Sequence, residues 1–148
     1  MGRNNKKNGP KRSKTPTTKK QATRTENPEG FQRQLIAWHF RIMDNGGNWP
    51  CNMETITTIS NRLHEYEVQK WHEVVKQRSN HPMPVSKIEI PAQSRLSKLG
   101  LDDAETLYQL KIPGNSNMQR LWGLRQENVF QILWWDPNHT VYITKRRK

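Results

Sequence analysis

The last thirty residues, Gln119–Lys148, restrict the fold of this chain more than any other segment. Arg120-Leu121-Trp122-Gly123-Leu124-Arg125 is followed by Val129-Phe130-Gln131-Ile132-Leu133-Trp134-Trp135-Asp136, with the polar break Gln126-Glu127-Asn128 between them. Apolar runs of that length, rich in β-formers and separated by polar residues, predict two paired strands. Asp136-Pro137-Asn138 is a turn composition, because Asp and Asn side chains bond nearby backbone and proline fixes φ. Val141 to Thr144 then predicts a last edge strand. A chain with this ending has to bury a sheet.

The preceding residues supply what covers it. Ile36, Trp38, Phe40 and Ile42 alternate at period two, the pattern of a half-buried strand with His39 and Arg41 on its other side. Asp44-Asn45-Gly46-Gly47-Asn48 breaks that strand. From Asn52 onward Ile56, Ile59, Leu63, Tyr66, Trp71, Val74 and Val75 recur mostly three and four apart, which predicts amphipathic helix. The slip between Tyr66 and Trp71 suggests two helices, about 53–65 and 68–78, although one bent helix would also fit. Ser79 to Pro84 reads as a loop and Val85 to Ile90 as a short strand. Ala92 to Leu99 predicts a helix stopped by Gly100, a residue suited to the left-handed cap. Asp102 to Glu105 starts another helical turn, since acidic residues favour a first turn. Leu107 to Ile112 is extended, ahead of the turn Pro113–Asn117. The order β-α-α-β-α-βββ predicts one α+β domain over 31–144, an antiparallel sheet (the C-terminal meander) with helices packed on one face.

Charge is segregated along the chain. Residues 1–30 carry nine Lys or Arg against two Glu, a net of +7, and Met1 and Ala22 are their only apolar side chains. Such a segment cannot bury enough surface to offset its ordering entropy, which predicts a disordered basic tail. Residues 145–148 add +4, whereas 31–144 hold twelve basic and eleven acidic groups, a net of +1. Two cationic ends on a nearly neutral body attract polyanions through counterion release. Lys19, Lys20, Lys145, Arg146, Arg147 and Lys148 are therefore candidate nucleic-acid contacts. The bland alternative is that the ends only maintain solubility.

Cys51 is the one cysteine, which excludes an internal disulfide and suits a reducing compartment. Its place before a helix start would lower its pKa if exposed, but a small buried thiol is the commoner case. No apolar run approaches the ~18 residues that span a bilayer. No apolar stretch follows the basic N-terminus, so it does not read as a secretory signal. These features place the chain in the cytosol, away from membrane.

Histidine is the residue to weigh for chemistry, because it titrates near neutral pH. His64 and His72 lie eight apart on helix, roughly 80° apart around its axis, and do not form the two-ligand pair of a zinc protease. No compact His/Cys cluster implies a metal, and no motif implies a cofactor. His139 follows a turn between strands, with Tyr142 three residues on and Arg120 and Arg125 bracketing the neighbouring strand. Cleavage of RNA needs a base for the ribose 2′-hydroxyl, cations for the phosphoryl charge and an acid for the leaving oxygen. His139, Arg120 and Tyr142 are the candidate catalytic residues by type, with Arg125 as a phosphate contact. The alternative is a turn histidine bonded to the Asp136 carboxylate and a tyrosine packed at the sheet edge. Trp38, Trp122 and one of Trp134 and Trp135 belong to the core. The other of that pair faces the second side, either exposed for a base or a partner protein, or beneath a second layer.

The segment Arg120-Leu-Trp-Gly … Phe130-Gln-Ile-Leu-Trp-Trp-Asp136-Pro-Asn-His139-Thr-Val-Tyr142, after an aromatic first strand and helices, resembles a group of small, mostly uncharacterised bacterial and mobile-element proteins over about 31–144. More distantly the chain resembles the RelE/ParE superfamily of toxins, small basic α+β domains with two N-terminal helices on an antiparallel sheet. That resemblance implies ribosome-dependent mRNA cleavage, with Arg120 and Arg125 as sheet-borne phosphate binders, His139 and Tyr142 as late acid/base groups, and an antitoxin as partner. The strand before the helices, the extra unit over 85–100 and the neutral body depart from that pattern. The expectation is a protein that engages RNA or the ribosome, with two alternatives: a non-catalytic nucleic-acid-binding module, or a protein-interaction component of a mobile-element or defence locus.

Overall fold

The structure, a computed structural model, describes residues 30–114 and 116–144. The tail expected over 1–30, apart from Gly30, and the candidate contacts Lys19, Lys20, Lys145, Arg146, Arg147 and Lys148 lie outside the described residues.

A single turn of 3-10 helix, Gly30–Arg33, leads into β1, Ala37–His39. Helix α1 follows at Met53–Glu67 and α2 at Trp71–Val75, then β2 at His81–Pro84 and α3 at Ile90–Lys98. Strands β3 (Thr106–Lys111), β4 (Arg120–Gln126) and β5 (Val129–Asp136) complete the fold. The class is α+β, as expected; the predicted order recurs only in form, because its second strand is His81–Pro84 and not Val85–Ile90.

One five-stranded sheet runs β1-β5-β4-β3-β2. The meander β2 to β5 is antiparallel, while β1 joins β5 in parallel, pairing Ala37 with Val129 and His39 with Gln131. Alternation in Ile36–Ile42 specifies which side chains face inward. It carries no information on the direction of the neighbouring strand, so the mixed sheet was not visible in it.

Helix α1 begins where Asn52 accepts the backbone N–H of Thr55 at 3.0 Å and Thr55 Oγ1 accepts the N–H of Asn52 at 3.4 Å. This reciprocal cap satisfies two amides that helical bonding leaves open. Ile56, Ile59, Leu63 and Tyr66 form its buried stripe, and with Trp71 and Val74 of α2 they cover Leu110, Leu121, Phe130 and Ile132. The opposite face, carrying Leu107, Trp122, Leu133 and Trp134, packs beneath Ala92 and Leu96 of α3 and beneath Trp49 and Val141. Helices therefore lie on both faces, where one was expected. The cause is in β4 and β5, which are apolar at successive positions and so have two faces to bury.

Elsewhere the elements depart from expectation: β1 stops at His39, short of Ile42, no helical turn forms over 102–105, and three further segments differ. Pro82 and Pro84, expected to break the chain, lie in β2, whose register sets them opposite Tyr108 and Thr106. β2 is the sheet's edge, and prolines two apart turn their nitrogens away from the partner strand, where no N–H is needed. Val85–Lys87 is a 3-10 turn where a strand was expected. Val141 to Thr144 adds no strand; Glu89 donates its N–H to the Val141 carbonyl at 2.9 Å, which docks the segment on the start of α3.

Candidate functional site

The row His81–Gln109–Trp122–Trp134 crosses β2, β3, β4 and β5 as successive partners. Trp134 reaches this face through an irregularity. Gly123 pairs with Ile132 and Trp122 with Trp134, which leaves Leu133 as an extra residue. Leu133 and Trp134 both join the second cluster, and Trp135 falls partly buried against the first. The bulge is tightly held, since a Cβ on Gly123 would overlap the Gln131 carbonyl oxygen and the Phe130 ring. No tryptophan in the chain is exposed, so of the two alternatives for the second indole the two-sided layer is the one the structure shows.

Asp136 fixes the turn beyond β5. Its fully buried carboxylate accepts Trp122 Nε1 at 3.2 Å, the Thr140 and Val141 amides at 2.9 Å each, and the Thr140 hydroxyl at 3.3 Å. The sequence alternative paired Asp136 with His139; its oxygens are instead bonded to those four donors. His139 is carried outward on this loop with φ +56°, the left-handed region that few non-glycine residues adopt.

His139 Nε2 lies 3.3 Å from Gln109 Oε1, and Gln109 Nε2 lies 2.8 Å from His81 Nε2. Gln109 is only 3% exposed. The His139 ring meets Tyr142 edge-on at 6.4 Å between centroids. Burial pushes the His139 pKa below its ordinary value; nearby Arg120 and His81 lower it further against the opposing pull of Asp136. A depressed imidazole is neutral at pH 7, the form that accepts a proton.

Arg120 lies at the end of β4, paired across to Asp136 and to Lys111. Its Nη1 donates to the carbonyls of Asn117 at 2.7 Å and Gln119 at 3.0 Å, and its buried Nε has no partner among the described residues. Burial lowers its pKa, against the raising effect of Asp136 and Tyr66. The guanidinium thus ties down the 117–119 turn while adding positive potential at His139.

Arg125 is set apart. Its guanidinium carbon lies 4.0 Å from the Phe31 ring centroid, 4.5 Å from Trp71 and 5.4 Å from Tyr108, on the face that α1 and α2 cover. It donates to Tyr108 Oη at 2.9 Å and to the Glu127 carbonyl at 2.8 Å. Burial lowers its pKa, and the Tyr108 bond offsets part of that. The structure therefore brings His139, Tyr142 and Arg120 together at one end of the sheet and puts Arg125 on its other side. Sequence reasoning missed His81 and Gln109. Gln109 meets His81, 28 positions away, through strand register, and meets His139, 30 positions away, through the loop beyond β5.

Among the described residues no group of three His, Cys, Asp or Glu is placed to hold a metal, and no helix is long and apolar enough to cross a membrane. Cys51 is fully buried, and burial, reinforced by Asp44, pushes its thiol up to about 11. Compared with protein-family models, curated proteins and solved structures, the chain finds no match.

Proposed function

We propose that this protein engages nucleic acid, RNA or the ribosome, through its two cationic ends, with the α+β body as the platform between them. The observation that carries this reading is the charge partition: +7 in residues 1–30 and +4 in 145–148, against +1 in the whole of 31–144. Clustered cations of this kind bind polyanions irrespective of sequence and release counterions as they do so. Fluorescence anisotropy with a labelled single-stranded RNA tests it. The full chain binds at low salt and loses affinity steeply as salt rises; no binding at low ionic strength would overturn it.

A second reading, RNA cleavage by a toxin-like endoribonuclease paired with an antitoxin, is supported by one observation. The half-buried His139 is held neutral beside Arg120 and Tyr142 at an accessible end of the sheet. In this reading His139 takes the 2′-hydroxyl proton and Arg120 offsets phosphoryl charge. Message incubated with the protein in a translation extract is then cut, and His139→Ala or Arg120→Ala removes the cutting. Intact message at saturating protein would end this reading and leave the binding one standing.

A further inference from the structure

The tautomers of two histidines follow from bonds whose direction is unambiguous. Gln109 Nε2 lies 3.2 Å from the Ser79 carbonyl oxygen, which can only accept, so the amide nitrogen is correctly placed there. The same nitrogen faces His81 Nε2 at 2.8 Å, so that ring nitrogen accepts. The His81 proton then resides on Nδ1, which lies 3.0 Å from the Pro82 carbonyl oxygen and donates to it. On the amide's other side Oε1 accepts, so His139 carries its proton on Nε2. Its Nδ1 is left with a bare lone pair. No hydrogen bond from the described residues reaches that atom, and it is not among the buried unpartnered side-chain atoms. Every link in the chain His139–Gln109–His81–Pro82 has one consistent direction.

We propose that His139 Nδ1 is the proton acceptor for a ribose 2′-hydroxyl, and that Gln109 and His81 are positioning residues that fix its tautomer. The assignment rests on the cleavage reading and deepens it. The substrate class is RNA, because DNA lacks the group this base would deprotonate. In the step, His139 Nδ1 takes the 2′ proton and O2′ forms a bond to phosphorus with the freed electron pair. The P–O5′ bond breaks, O5′ leaves with its electron pair and takes a proton from water, and His139 returns its proton to solvent. The products are a 2′,3′-cyclic phosphate and a 5′-hydroxyl. His139 is faced by His81 from β2, Arg120 from β4, Asp136 from β5 and Tyr142 from its own segment. The left-handed backbone at residue 139 agrees with this role, since strained residues persist where surrounding structure holds them for use.

Nitrogen-15 NMR of the imidazoles in the full chain tests the assignment without reference to activity. The expected spectrum at pH 7.5 shows His139 as the Nε2–H tautomer and His81 as the Nδ1–H tautomer. Gln109→Glu places a carboxylate against both rings and moves the His139 titration upward by about one pH unit or more. If the chain cuts RNA, the acid limb of its rate profile moves with it, which a merely structural role for Gln109 would not produce. His139→Asn, a residue that tolerates the left-handed backbone, keeps the fold and removes the base. An Nδ1–H tautomer at His139, or a titration unmoved in Gln109→Glu, overturns the relay. Should Gln109→Glu fail to fold, the tautomers of the unaltered chain decide the matter alone. Cleavage that persists in His139→Asn overturns the assignment of the base while sparing the cleavage reading. An intact relay in a chain that leaves RNA whole overturns that reading and this assignment with it.

Discussion

Removing the Asp136 carboxylate is the most informative single change to this fold. Asp136→Ala leaves Trp122 Nε1 and the Val141 amide without acceptors, and both residues are fully buried. The Thr140 amide and hydroxyl, on an exposed residue, are recovered by water. Two stranded donors at about 1–3 kcal/mol each give a loss of roughly 2–6 kcal/mol. A domain of this size has about 5–15 kcal/mol in total, so the change removes a large share of its stability. With a urea slope of about 2 kcal/mol per molar, a loss of about 4 kcal/mol moves the unfolding midpoint down by roughly 2 M. Asp136→Asn falls between: its remaining oxygen serves one side, but its amide nitrogen meets N–H groups on the other. Urea unfolding followed by tryptophan fluorescence gives the midpoint, and hydrogen exchange at Thr140 and Val141 shows whether the His139 loop loosens with it. A midpoint shift under about 0.5 M for the alanine variant, a loss of only about 1 kcal/mol, would refute the argument that this carboxylate organises the loop.

Four further predictions follow from the same geometry. Gly123→Ala drives a methyl group into the Gln131 carbonyl and the Phe130 ring, and thermal melts of that variant should show a loss of about 1–3 kcal/mol or more. Cys51 reacts with a thiol reagent at pH 8 only after unfolding, because its thiol is buried and pushed up to about 11; rapid labelling of the native chain would contradict this. His139 binds its proton less readily folded than unfolded, so its contribution is complete above its ordinary value of 6.5 and declines as pH falls through 6.5 toward the lower folded value. Asp44 acts further down: burial raises its pKa, but bonds from Arg95, Trp134 and Gly46 outweigh this, so its stabilisation is lost only as pH falls below about 3.8. Urea midpoints measured from pH 8 to pH 3 should show both declines, the first absent in His139→Asn.

How much of this was legible in the sequence depended on whether the information was local. Helix α1 was visible because Ile56, Ile59, Leu63 and Tyr66 repeat along one face, and β3 to β5 because their runs are long and their breaks polar. β2 was hidden by Pro82 and Pro84, which stop a central strand but fit an edge. Strict alternation put Trp134 and Trp135 on opposite faces correctly. It could not show that the extra residue Leu133 shifts which of them joins the core. His139 was conspicuous beside its turn, whereas Gln109 looks like any polar strand residue until register sets it between two imidazoles. Arg125 was expected at an open surface. The aromatic cage that encloses it comes from three distant segments, and no local pattern announces it.

The central claim, that affinity for nucleic acid resides in the charged ends, is tested most directly by the salt dependence of RNA binding. The two ends hold nine and four basic residues. For single strands the slope of log affinity against log salt is about −0.7 per phosphate neutralised, so full engagement approaches about −9. Replacing the nine Lys and Arg of residues 1–30 by Gln in the intact chain should flatten that slope by several units. A slope that stays the same after this replacement would show that the folded body holds the RNA, and would contradict the account.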